Sequence, residues 1–350
     1  MDYNHIEYKK PFYRIKANLK EHLKNYSRLE DLPVSYENLA EYEELFPLID
    51  DNGKRTLWHM AMYNQENLNL LSKSLVEVYQ RLNSDGDDNT YLRIDRIDFC
   101  SFGNSKPFRV RVVHEINGNY DYFYMKKADS SRIYGLELEE IFSPDKINYI
   151  VDKQTLVEEH IVGIPLDDFI FRNKEVAIEN RIRLAKEFVK FNERTFVRLL
   201  GDMRAYNYVV EIIQDFDNIQ YHLRAMDFDQ QCFEGRKNIY RPQFYKGNME
   251  LVKLVQELMT EDVSRQYQRI ERVSMKKRYL ASRQRTRSLL RIMRKDRIST
   301  DKNIKILRSE LAEHHNDTDF LKFNNMGDIL NRHMEKMLSV DILTKSEILK

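Results

Sequence analysis

The stretch "LLGDMRAYNYVV", Leu199–Val210, and the later "AMDFDQQ", Ala225–Gln231, decide the reading of this chain. Each is a short apolar run that carries acids or an amide where a buried strand would not hold them: Asp202, Asn207, Asp227 and Asp229. The runs "YVVEII" and "YHLRAMDF" read as two strands that pair as a hairpin, with residues 211–220 as the turn region. Such a hairpin sets the start of the first strand beside the end of the second, so the four polar residues converge. Carboxylates and one amide oxygen suit a hard cation, Mg²⁺ above all, together with substrate phosphates. A spare carboxylate beside them can take a proton from an attacking hydroxyl.

The rest of the chain fits around that pair. Of its 350 residues, 42% are apolar and 32% charged, enough for a sizeable core in one large domain or a few smaller layers. Two cysteines, Cys100 and Cys232, argue against a disulfide framework and for a reducing, cytoplasmic setting, where both read as buried packing residues. The polar start "MDYNHIEYKKPFYRIK" lacks the apolar core of a secretory signal, and no apolar run is long enough to span a membrane. Net charge is +1, but residues 264–308 hold sixteen Lys and Arg against three acids, so an acidic body carries a basic segment.

Residues 1 to about 82 read as helical, from "NLAEYEELFPLI" and "NLNLLSKSLVEVYQRL". The polar "NSDGDDNT", Asn83–Thr90, reads as a linker. "YLRIDRIDFCSF", "FRVRVVHEI" and "YDYFYMKKA" then alternate as a three-stranded meander, the last two joined by "NGN", Asn117–Asn119, whose Asn-Gly suits a type I′ turn. A helix is expected over Ser130–Phe142, a further strand in "TLVEEHIVG", and helices from Pro165 to about Leu200 and again from Met249 onward.

In this order the motifs resemble the aminoglycoside and choline phosphotransferase-like kinases, the small-molecule branch of the protein-kinase-like fold. "GDMRAYN" followed by "AMDFD" is similar to that family's G-D-x-x-x-x-N … D-x-D/E pattern, and "EHIVGIPL", Glu159–Leu166, to its hinge motif. "FYMKKA" resembles the strand of the phosphate-binding lysine, "LELEEI" the helix whose glutamate pairs with it, and "SFGNSKPF" lies where the phosphate loop belongs. The match covers roughly residues 91–250. It implies a bilobal α+β protein-kinase-like fold: a helical N-terminal extension (1–90), an N-lobe with a small antiparallel sheet (91–160), and a helical C-lobe with the catalytic hairpin and basic C-terminal helices (161–350). It implies an ATP- and Mg²⁺-dependent phosphotransferase acting on the hydroxyl of a small molecule. Asp202 is then the base, and Asn207 and Asp227, with Asp229, the metal ligands. Lys126 (or its neighbour Lys127) contacts phosphates with Glu139 or Glu140 as partner, and Glu159 and Ile161 lie in the nucleotide hinge.

The chain departs from the pattern at Leu200, where the family has His, and in a loop with one glycine and a proline, "GNSKP". A pseudokinase that binds nucleotide or regulates is the alternative these departures leave. A second is a nucleic-acid binder using the basic segment, but between Met275 and Arg308 only Tyr279 can stack on bases, so a basic helix docked on the acidic body is preferred. "AEHHNDTD", Ala312–Asp319, reads as a hydrated loop rather than a metal cluster.

Overall fold

Alternation of apolar and polar residues makes the first half of the chain a sheet. In the computed structural model, which describes residues 10–50, 53–83, 91–172, 178–215 and 218–343, β1 (Glu44–Ile49), β2 (Arg55–Met62), β3 (Leu92–Cys100), β4 (Phe108–His114), β5 (Tyr120–Lys127), β6 (Tyr149–Asp152) and β7 (Thr155–Glu159) form one antiparallel sheet. Its order is β1-β2-β3-β4-β5-β7-β6. The expected linker at 84–90 lies outside the described residues. Contacts divide the chain into two compact units, 1–130 with 147–160 and 131–146 with 161–350.

In the first unit the sheet has one apolar face. Ile97, Phe99, Phe108, Val110, Val112, Phe123, Met125 and Val157 lie on it, packed against Leu71, Leu75, Val78 and Leu82 of α3 (Gln65–Leu82). Those four recur every three or four residues, so one stripe of the helix meets the sheet. Two short helices, α1 (Ala17–Asn25) and α2 (Tyr36–Leu39), complete the unit.

The helical reading of residues 1–82 is corrected here, because "ELFPLI" and "RTLWHMAM" are strands β1 and β2. Pro47 explains it. Proline has no N–H to give and disrupts a helix interior, but an edge strand tolerates it, and β1 is an edge whose register slips between Pro47 and Ile49. The β4–β5 turn also differs from expectation. It spans residues 115–119 with only Gly118 at positive φ (72°), whereas a type I′ turn needs two such residues.

The second unit is mostly helical. It holds α4 (Ser130–Phe142), α5 (Leu166–Arg172), α6 (Ile178–Arg198), α7 (Met249–Leu258), α8 (Glu261–Ala281), α9 (Arg283–Lys295), α10 (Asp301–His315) and α11 (Met326–Leu338). A small sheet, β8 (Ile164–Pro165), β9 (Tyr208–Asp215) and β10 (Asn218–Ala225), has the order β10-β9-β8. Gly163, at φ +156°, lets the chain enter β8: a Cβ there would lie 2.7 Å from Val209 Cγ2. Among the described residues no helix is long and apolar enough to cross a membrane. The fold is α+β, with an antiparallel sheet in the first unit and helices dominating the second, as expected from the sequence.

Candidate functional site

The site grows from the end of α6. After Arg198 the chain turns through Leu199, at φ 54°, and Asp202, at φ 58°. Both occupy the left-handed region, which costs a residue with a Cβ energy and which Asp and Asn tolerate best. Backbone held this way persists only where its surroundings fix it. Here they do. Leu200 bridges to Gln231, and Cys232 N–H donates to the Leu199 carbonyl at 2.9 Å. The Gln231 amide donates to the carbonyls of Arg198 and Leu199 at 2.5 and 3.2 Å. The segment just after the "DFD" run therefore braces the loop that carries Asp202.

Asn207 closes that loop. Its side-chain amide donates to the Asp202 carbonyl at 2.6 Å, and Arg204 N–H donates to the same oxygen at 2.8 Å. Asp202 N–H donates to the Tyr245 hydroxyl at 3.1 Å. The Asp202 carboxylate is buried and pairs, at 2.7 Å, with the half-exposed Arg204. The Asn207 side-chain oxygen makes no hydrogen bond among the described residues.

The predicted hairpin forms, but residues 211–215 and 218–220 of the expected turn region are strand, since β9 runs to Asp215 and β10 starts at Asn218. β9 and β10 run antiparallel with Tyr208 opposite Ala225, and Met226 N–H donates to the Asn207 carbonyl at 2.9 Å. Asn207 is thus one residue from Asp227. Asp227 Oδ1 accepts from Asp229 N–H at 3.0 Å, a local turn that orients both acids. Asp202, Asn207, Asp227 and Asp229 are assembled on one loop and one strand end.

What joins the two acids was not foreseen. Arg132, in the first turn of α4, donates from one guanidinium nitrogen to Asp227 at 3.0 Å and to Asp229 at 3.1 Å, and from the other to the Met226 carbonyl at 3.2 Å. Its side chain is 2% exposed.

The glutamates of α4 have other partners than the expected lysine. Nearly all of α4 is buried, and its acids pair within the second unit. Glu139 is held by Arg198, Glu137 by Arg285 at 2.5 Å, and Glu140 by Lys146 at 3.1 Å and Arg285 at 3.8 Å.

In the first unit Lys126 is buried and Lys127 is exposed, as neighbours on a strand must differ. Lys126 donates to Glu158 at 2.6 Å, a partner the sequence reading missed because it lies on β7. The same face of the sheet carries Tyr124, Arg109 and the buried Asp98, which Arg109 contacts at 2.8 Å. Arg109 also stacks 4.4 Å from the centre of the Trp58 ring. Glu159 ends β7, with its N–H donating to the Asn148 carbonyl at 3.0 Å. Ile161 is buried in the second unit.

Two further expectations meet the structure. The basic run Lys276–Arg297 is not one helix, since α8 and α9 break at Ser282. Part of the charge of the wider basic segment, 264–308, is taken up by the second unit's own acids: Arg285 on Glu137, Arg272 on Glu193 at 2.8 Å, and Arg294 on Asp328. "AEHHNDTD" is not a hydrated loop. His315 stacks on Phe320 and contacts the fully buried His333 at 2.8 Å, while Asp317 pairs with Arg332 and Lys336. Among the described residues, one group of three possible metal ligands lies close together, Asp145, Glu211 and His222. There His222 contacts Asp145 at 3.2 Å, and Arg224 approaches Glu211 at 3.6 Å, so the charges compensate one another. Cys100 and Cys232 are free and buried.

No protein-family model and no curated protein matches the chain. Among solved structures it is similar to the ADP/Mg²⁺-phosphoaspartate complex of the Rio2 kinase from Chaetomium thermophilum, at 13% identity and a TM-score of 0.28. That match covers 63% of this chain and 66%, just under two thirds, of the Rio2 chain.

Proposed function

We propose that this chain is a protein-kinase-like phosphotransferase that moves a phosphoryl group from ATP to a hydroxyl of a small-molecule acceptor. The observation that carries the reading is the double role of Asn207: its amide grips the Asp202 carbonyl, and its backbone holds the strand end that leads into Asp227. One residue therefore ties the proposed base to the proposed cation-binding acids. In this reading the acceptor hydroxyl gives its proton to Asp202 as its oxygen bonds to the γ-phosphorus; the bond to the bridging oxygen breaks and ADP leaves. Lys126 would meet the phosphates, and the backbone of residues 159–161 the adenine. The proposed N-lobe is 91–160, and the C-lobe runs from 161 to the end.

The donors at Asn207, Asp227 and Asp229 have the chemistry of a Mg²⁺ site, since all are oxygen ligands. Their present pairing does not fit the ion, because Arg132 takes an oxygen of each acid. The same pairing favours the second reading, a nucleotide-binding pseudokinase. A small-molecule acceptor is preferred over a protein because the chain has G-D-x-x-x-x-N in place of H-R-D and no A-P-E run. Reduced, buried cysteines favour a cytoplasmic setting. The docked basic helices favour nucleotide and metabolite over nucleic acid as partners.

Thermal unfolding with and without millimolar ATP tests nucleotide binding. For a Kd near ~0.1 mM, stabilisation is on the order of 1 kcal/mol or more. No shift at all contradicts the reading. A metabolite screen for stimulated ADP release then identifies the acceptor and separates enzyme from pseudokinase.

A further inference from the structure

We propose that Arg132 is a built-in cation that holds Asp227 and Asp229 in place of a metal ion, so that a divalent ion reaches these carboxylates only by displacing the guanidinium. The inference rests on the functional reading of the two acids given above. Its ground is the local geometry.

The carboxylates of Asp227, which accepts from the Asp229 backbone N–H, and of Asp229 converge on one nitrogen of Arg132, and acids so placed repel unless a cation lies between them. Arg132 lies there. A single nitrogen reaches one oxygen of each acid, at 3.0 and 3.1 Å, and its twin reaches the Met226 carbonyl. The guanidinium also sits 5.8 Å from the centre of the Phe228 ring, between the two acids in sequence. The contact is fixed from behind. Gly135, one turn along α4, faces Phe228 so closely that a Cβ there would lie 2.8 Å from Phe228 Cβ. Helix and acid segment therefore meet backbone to side chain, with Arg132 clamped by its own helix rather than swinging from a loop. Asp227, whose side chain is 31% exposed, is the accessible end of the pair, and Arg132 itself is sealed. A dication added without moving Arg132 would face a positive charge across the same oxygens, at the short range and low local dielectric where repulsion is strong.

The geometry therefore assigns Arg132 as a positioning residue that sets metal affinity. The test uses the full chain without nucleotide. Arg132→Met removes the charge while keeping much of the volume. Its unfolding midpoint should fall, because the buried Asp229 and the half-buried Asp227 lose a cationic partner. Millimolar Mg²⁺ or Mn²⁺ should restore much of that loss and leave the wild-type midpoint unchanged. Mn²⁺ titration followed by electron paramagnetic resonance should show the variant binding about tenfold tighter than wild type, or more. Equal metal response in the two proteins, or a variant whose loss no metal repairs, overturns the proposal. If Arg132→Met does not fold, the wild-type titration decides: Mn²⁺ binding in the micromolar range overturns it, and none below millimolar supports it. ATP binding by wild type is measured alongside. Its absence refutes the phosphotransferase reading without touching the Arg132 comparison, whereas ATP binding with equal Mn²⁺ affinity in both proteins refutes the Arg132 proposal alone.

Discussion

Lys126 and Glu158 form a buried ion pair across β5 and β7, Nζ to Oε2 at 2.6 Å, with side chains 10% and 6% exposed. Removing one partner of such a pair leaves an uncompensated charge in a poorly solvated place and costs about 3–5 kcal/mol. A site lysine would carry a second duty as well, toward phosphates.

The two duties separate in a double variant. Lys126→Met alone should lower stability by about 3–5 kcal/mol and weaken ATP binding. Lys126→Met with Glu158→Gln should recover most of the stability, because no charge is left unpaired, and none of the ATP affinity. Denaturant unfolding and calorimetric ATP titration on both proteins check this. Recovery of ATP affinity in the double variant means that Lys126 serves the fold alone.

Gly135→Val should disturb the acids from a distance. The new side chain meets Phe228 and Gln231, whose Cβ atoms lie 2.8 and 3.3 Å from the point a Cβ on residue 135 would occupy. Overpacking of this kind costs about 1–3 kcal/mol, and here it also shifts Asp227 and the Gln231 brace. Stability and turnover should both fall. Phe228→Leu, which makes room on the opposite side, should restore part of each; no rescue would mean that the contact does not set the loop.

Stability should decline with acid well above the carboxylate range. His333 Nε2 donates to the Phe196 carbonyl, so its Nδ1 accepts from His315 Nε2, and both rings are neutral in the fold. Burial, then the neighbouring His315, pushes the His333 pKa well below its ordinary value; burial, then His314, pushes that of His315 down to about 4. His160 and His314 are lowered too, chiefly by burial. A depressed histidine binds its proton more readily unfolded. Its contribution is complete above the ordinary value of 6.5 and is lost as pH falls from there toward about 4. His222, raised by its hydrogen bond to Asp145, works in the opposite sense. With four lowered and one raised, the midpoint should drop by roughly 5 °C or more from about pH 7 to pH 5. His315→Gln keeps a donor for His333 without titrating, and should flatten the profile.

Where the signal was local, the sequence was readable. α3 follows from its periodicity, and the β9–β10 hairpin from two apolar runs with polar ends. That hairpin alone brought Asn207 to within one residue of Asp227. β1 and β2 were hidden because Pro47 and the mixed polarity of "RTLWHMAM" resemble neither a clean helix nor a clean strand, and the pairing of β1 with β2 and of β2 with β3 is what settles them. Arg132 was illegible for a different reason. Its partners lie 95 and 97 residues away, and nothing near "SSRIYG" indicates an acid pair. The same holds for Glu139. A charged helix residue ordinarily faces water, and only the arrival of Arg198 from α6 makes its burial tolerable.

The most direct test of the whole account is ADP release by wild type and Asp202→Ala, measured with ATP and an acceptor found in the metabolite screen. Asp202 faces the acceptor in this reading, so the variant should bind ATP within a few-fold of wild type. Its turnover should fall by roughly 10²–10⁴, the usual worth of a positioned general base. Equal turnover in the two proteins would contradict the phosphotransferase mechanism, whatever the fold.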